Sequence, residues 1–244
     1  MGKFRWVGIY MLTNLFAGVV TVGAIVTIVF LILRVRVGGL KAMFVKALAS
    51  ACFIATAFVA FAMNREHFEY GVLMILGFIF SLMGDIWLDL KYVYKQHQHI
   101  YTYAGFMCFI MGHIFFIPAI FSEYAEMKWW YVPATLLASV IFMVCTLALE
   151  KPMGLKYGRF KPITGVYAVF LSTTMFAAIN GVLFCGANKE FITLIAGSVL
   201  FTLSDLVLSN IYFKEGGNTK ANVLINHILY YAAQFTFAST LLMD

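Results

Sequence analysis

Runs of about 20 apolar residues recur along the whole chain, each long enough to cross the hydrocarbon core of a bilayer as a helix. The breaks between them are short. RVRVGGLK, NREHFEY, KYVYKQHQH, SEYAEMK, EKPMGLKYGRFKP, GANKE and FKEGGNTK all combine charge with Gly, Pro or Asn, or cluster several charges. The runs predict eight spans, at about 7–33, 42–63, 71–90, 100–121, 129–149, 162–184, 191–212 and 222–242. Backbone groups in hydrocarbon must be satisfied internally, and the alternating pattern of barrel strands is absent. The fold class is therefore all-α: one polytopic membrane helix bundle over residues 1–244, with about eight transmembrane helices. With 63 % hydrophobic and 11 % charged residues, the chain has too little charge to surface a soluble domain.

The first apolar stretch runs on to Leu33 and ends in Arg-Val-Arg without a small-residue cleavage site, so it reads as a retained span and not a signal peptide. The net charge of +6 sits in short loops, where it sets topology, and does not indicate nucleic-acid binding. Loops 1–2, 3–4, 5–6 and 7–8 carry 12 Lys and Arg, against 5 on the other side, Lys3 and Arg5 included. This predicts extracytoplasmic or lumenal termini and puts the basic loops in the cytoplasm. Cys52, Cys108, Cys145 and Cys185 all fall inside apolar runs, and no disulfide framework is expected. No internal repeat is evident, and the prolines lie near span ends or in loop 5–6.

Ionisable groups inside spans are the informative residues, because they are expensive to bury and usually face the bundle interior. Asp85 and Asp89 stand one helical turn apart on one face of span 3, with Ser81 a turn deeper. Asp89, near Lys91 at the span end, reads as an interfacial or supporting charge. Asp205 lies in span 7, with Ser204 before it and Asn210 below it. His113 is mid-span 4, Lys46 opens span 2, and His227, Tyr230 or Tyr231, and Gln234 share a face of span 8. Asp85 and Asp205 have no opposite charge at i±3 or i±4, so a purely structural role needs a partner on another helix, such as Lys46.

Two carboxyls close together in a low dielectric share a proton, which leaves one acid and one carboxylate. Such a pair suits hydrolysis through an oxocarbenium-like state. It suits proton or cation transport equally well. Spacing alone does not separate the two.

Four motifs in order resemble the YhhN-like family of eight-span membrane proteins, the lysoplasmalogenases. They are Gly84-Asp85 in span 3, Gly105-Phe106 with Phe109 and His113 in span 4, Phe201 with Ser204-Asp205 in span 7, and Tyr230 or Tyr231 with Ala233-Gln234 in span 8. Lys46 and Tyr167 also look like family positions. The pattern departs near the end of span 7, where Asn210 comes one residue early and Tyr212 stands where the family has a basic residue.

The resemblance implies hydrolysis of the vinyl-ether bond of a lysoplasmalogen to a fatty aldehyde and a glycerophospho-headgroup. Asp85 and Asp205 would supply acid and carboxylate. His113 would orient water or a carboxylate, Tyr230 or Tyr231 and Gln234 would position substrate, and Lys46 would contact the phosphate or tune an Asp. The partner expected is a lysophospholipid entering from the bilayer, with its headgroup at the cytoplasmic interface. Water suffices, so no cofactor and no metal are expected. Two alternatives remain at this point. One is a proton- or cation-coupled transporter using the same Asp pair. The other is a metal-dependent lipid hydrolase with Asp85, His113, Asp205 and His227 as ligands.

Overall fold

The computed structural model describes the backbone of residues 2–243 and the side chains of residues 11–243, so the side chains of Lys3 and Arg5, used above for topology, lie outside the described residues. Eight long helices follow in order: α1 Gly2–Arg36, α2 Gly39–Met63, α3 Phe68–Val93, α4 Gln98–Ser122, α5 Tyr131–Ala148, α6 Lys161–Cys185, α7 Lys189–Phe213 and α8 Lys220–Thr240. No β-strand forms among the described residues. Seven of the eight helices are long and apolar enough to cross a membrane. The other, α8, has 21 residues, and at about 1.5 Å rise per residue that length suffices. Its apolarity falls short because it carries Asn222, Asn226, His227, Tyr230, Tyr231 and Gln234.

The helix ends follow from local chemistry. Gly38 and Gly39 both take positive φ, at 66° and 61°, and turn the chain between α1 and α2. The Gly38 amide closes the end of α1 by donating to the Leu33 carbonyl at 2.9 Å. Asn188 caps α7 by accepting from the Phe191 amide, and Thr219 caps α8 by accepting from Asn222. The α5–α6 connection is tied to the end of α7, where the Lys156 amide donates to the Phe213 carbonyl at 2.7 Å.

Helices α2, α3, α4, α6, α7 and α8 pack in that order into a closed ring, with α8 returning to α2. Outside the ring, α1 leans on α2 and α8, and α5 leans on α6. Each group of four helices therefore repeats the same arrangement: one outer helix, then three ring helices. Side chains repeat as well. Asp85, Leu88 and Tyr92 on α3 recur with the same spacing as Asp205, Leu208 and Tyr212 on α7, and all six line one cavity. Gly77 and Gly197 each lie eight residues before the Asp. A Cβ on Gly77 would stand 2.2 Å from the Phe116 ring, and one on Gly197 would stand 2.6 Å from Phe237. Phe116 and Phe237 then meet across the interior, with ring centroids 5.6 Å apart. Small residues let these helices approach closely where no hydrophobic force between them is available.

This repetition corrects the expectation of no internal repeat. It survives at interior positions only. Lipid accepts any apolar side chain, so the outward faces of α3 and α7 carry no matching pattern.

Candidate functional site

The inner ends of α1, α2 and α3 bring four charges together. Lys46 on α2 has Nζ 3.1 Å from Asp85 Oδ1 and 3.3 Å from Asp89 Oδ1. Arg34 on α1 has Nη1 3.3 Å from Asp89 Oδ2. Asp89 is 2 % exposed and Lys46 4 %, so both are buried inside the bundle. Asp89 is a buried supporting charge of this cluster, paired with Lys46 and Arg34 and not with its neighbour Lys91. Two cations balance two carboxylates, which satisfies the requirement that buried charge be paired. Asp85 gains two further donors. Ser50 Oγ donates to Oδ2 at 2.6 Å, and Tyr230 OH donates to the same oxygen at 2.7 Å. Tyr231 supports this group from behind, donating to the Lys46 carbonyl at 3.1 Å and lying 3.2 Å from Ser50 Oγ.

Asp205 is provided for differently. Tyr167 on α6 donates to its Oδ2 at 2.5 Å, and no cation lies within 4 Å among the described residues. Asp85 and Asp205 both line one cavity inside the ring. Phe106 and Phe109 on α4, Leu88 and Leu208 supply its apolar lining. On one side, Ser204 and Asn226 lock α7 to α8. Ser204 Oγ donates to the Asn226 carbonyl at 3.1 Å, and the Asn226 amide donates back to the Ser204 carbonyl at 2.9 Å. A second pocket, mostly apolar, lies between α5, α6 and α7 and shares Phe106, Tyr167, Asp205, Leu208 and Tyr212 with the first.

The other expected residues divide clearly. Lys46, Asp89, Ser204 and Tyr230 reach the cavity. Gly84 acts by absence: a Cβ there would stand 2.7 Å from the Phe109 ring, so glycine lets α4 bring Phe109 to the cavity wall. Ser81 bonds its own helix, donating to the Gly77 carbonyl at 3.0 Å. Asn210 likewise turns back to the Leu206 carbonyl at 3.4 Å. Gln234 is fully buried, does not line the cavity, and makes no side-chain hydrogen bond of normal geometry. His113 stands apart from the two carboxylates. Its Nδ1 lies 2.8 Å from Thr174 Oγ1, its Nε2 has no partner, and it packs against Phe116, Tyr167 and Phe201. It therefore touches Tyr167 but neither carboxylate.

The four-residue metal set is not assembled. No group of three or more His, Cys, Asp or Glu forms among the described residues, and His227 stacks on Phe30 with Nδ1 2.7 Å from the Asn226 side-chain oxygen.

The structure also adds residues. Arg34 was counted only as a loop charge, because a basic residue at the end of a span ordinarily faces headgroups. Ser50 had no signal beyond its position one turn after Lys46. Tyr92 is findable only through the spacing it shares with Tyr212, seven residues after each Asp.

The family model described as YhhN family matches residues 41–241. The chain belongs to the YhhN family. The matched segment covers all seven helices from α2 to α8 and contains Lys46, Ser50, Asp85, Tyr167, Asp205 and Tyr230. Arg34 comes from α1, which precedes it. No curated protein and no solved structure matches the chain.

Proposed function

We propose that this member of the YhhN family is an intramembrane hydrolase that cleaves the vinyl-ether bond of lysoplasmalogens. One observation carries the reading: two carboxyl groups face one cavity from opposite walls and are unequally provided for. Asp85 has a cation and two hydroxyl donors, all of which favour the carboxylate. Among the described residues Asp205 has one hydroxyl donor and no cation, which suits it to act as the proton donor.

A vinyl ether is attacked by acid at its β-carbon. Asp205 delivers its proton there, forming the new C–H bond and leaving an oxocarbenium ion. The Asp85 carboxylate stabilises that positive charge and takes a proton from the water that adds to the α-carbon. In the collapse of the hemiacetal, Asp85 returns this proton to the departing glycerol oxygen. The hemiacetal hydroxyl gives its proton to Asp205, so both groups are reset. The products are a fatty aldehyde and a glycerophospho-headgroup. The apolar pocket beside Asp205 suits the hydrocarbon chain.

The test is aldehyde release by purified protein in detergent given an alkenyl lysophospholipid, with the matching acyl and alkyl lysolipids as controls. Aldehyde from the alkenyl lipid alone is the expected result. Fatty acid from the acyl lipid, or no product at all, would refute the reading. The duplicated arrangement, with its polar site between the halves, is also an architecture used by transporters. Under that reading, liposomes containing the protein show proton flux and no aldehyde.

A further inference from the structure

We infer that a cationic vestibule built by Lys91 and Arg159 beside Tyr212 binds the phosphodiester of a lysophospholipid headgroup. The assignment rests on the lysophospholipid reading above and supplies what that reading lacks, an anion site.

Charge pairing decides its location. Lys46 was the sequence-based candidate for phosphate contact, but its ammonium is engaged by Asp85 and Asp89. Arg34 is engaged by Asp89. A phosphate at either cation would face these carboxylates, and like charges at such range are repulsive. Lys91 and Arg159 are different. The Lys91 Nζ lies over the Tyr212 ring and beside that of Tyr92, and among the described residues it forms no ion pair with a carboxylate. Among the described residues the Arg159 guanidinium forms no ion pair or hydrogen bond, and its carbonyl accepts from Tyr103 OH at 2.6 Å. Both residues line a third cavity with His99 and Thr102.

Depth and connection agree. Lys91 ends α3, His99 begins α4, and Arg159 immediately precedes α6, so the vestibule lies where helices end and headgroups sit. Asp85 is six residues deeper on α3, about 9 Å along the axis, a distance that a glycerol phosphate can bridge. Tyr212 borders all three cavities: the vestibule, the carboxylate cavity and the apolar pocket. One lipid can thus place phosphate, ether and chain in three adjoining spaces. A competing opening, lined by Arg34, Tyr92 and Lys220, has its inner cation tied to Asp89 and is less suited to an anion.

The experiment measures equilibrium binding in detergent with three probes: a 1-alkyl lysophospholipid, whose saturated ether resists hydrolysis, the corresponding 1-alkylglycerol, and inorganic phosphate. Wild type should bind the lysophospholipid at least about tenfold tighter than the alkylglycerol. Lys91→Met and Arg159→Met should each weaken lysophospholipid binding about tenfold to a hundredfold, the range of a charge-assisted contact, and leave the alkylglycerol unchanged. Lys91→Arg should retain the preference, and Lys220→Met should match wild type. Arg159 is exposed, so its variant keeps the test informative if Lys91→Met does not fold.

Equal affinity for the two lipids, a preference that survives in both Met variants, or inorganic phosphate competing as well as the whole lipid would overturn the headgroup site. Headgroup preference without aldehyde release from the alkenyl lipid would refute the hydrolase and keep the vestibule. Aldehyde release without headgroup preference would do the reverse.

Discussion

Replacing each central carboxyl by its amide should separate the two roles. Asp85→Asn removes a negative charge from a cluster of two cations and two carboxylates, and leaves Lys46 sharing Asp89 with Arg34. Breaking a buried pair from one side costs about 3–5 kcal/mol, because the remaining charge is desolvated and uncompensated. At about 2–4 °C per kcal/mol for a chain of this size, Tm falls by roughly 6–20 °C. The Ser50 and Tyr230 hydroxyls can still donate to the amide oxygen, which keeps the loss toward the lower end. Asp205→Asn has no such penalty. Tyr167 can donate to the amide oxygen as it does to the carboxylate, and no cation is stranded, so stability should stay within about 1 kcal/mol of wild type. Catalysis behaves differently. Both variants should lose at least about 10²-fold in aldehyde release, the usual contribution of a positioned acid or base. Thermal melts in detergent and the aldehyde assay on the same preparations read both quantities. Adding Lys46→Met to Asp85→Asn should recover stability, because one cation and one carboxylate then remain, Arg34 with Asp89. The reasoning is refuted if Asp85→Asn melts within about 2 °C of wild type, or if Asp205→Asn is destabilised to the same extent.

Tyr167→Phe removes the one donor to Asp205 and should lower turnover about tenfold or more with little change in Tm; unchanged turnover across pH 5–8 would remove Tyr167 from the mechanism. His113→Gln and Thr174→Val should each lower stability by about 1–2 kcal/mol while turnover stays within about threefold, since His113 bonds Thr174 and not a carboxylate; a hundredfold loss of turnover in His113→Gln with an intact melt would restore a catalytic role. Gly77→Ala and Gly197→Ala should be destabilising to similar extents, about 1–3 kcal/mol each, because both added methyls meet a buried Phe ring; a large effect at one and none at the other would argue against equivalent halves.

Much of this was legible in the sequence, for identifiable reasons. Span number and limits follow from the thickness of the bilayer, which imposes a length on every apolar run. The observed helices begin and end within a few residues of the expected spans, the largest difference being the start of α1. Asp85 and Asp205 stood out because a carboxyl inside an apolar run needs a reason to be there. Family membership was also readable, because its motifs are short and contiguous.

Partnership was not legible. Lys46 and Arg34 are cations near span ends, and sequence cannot tell a lysine that reaches headgroups from one that turns inward to two aspartates on α3. The resemblance gives His113 a role in orienting water or a carboxylate, yet in the fold its ring packs among aromatics with Thr174 beside Nδ1. The duplication was hidden because lipid-facing positions drift freely and only the interior keeps its pattern. The sequence by itself determined a helical membrane bundle with two carboxyls, Asp85 and Asp205, set inside apolar runs. The tertiary structure decided that one of them is tied to a lysine and the other is not, because that depends on which helix faces which across the ring, and helix neighbours are chosen by packing and not by the order of residues in any one span.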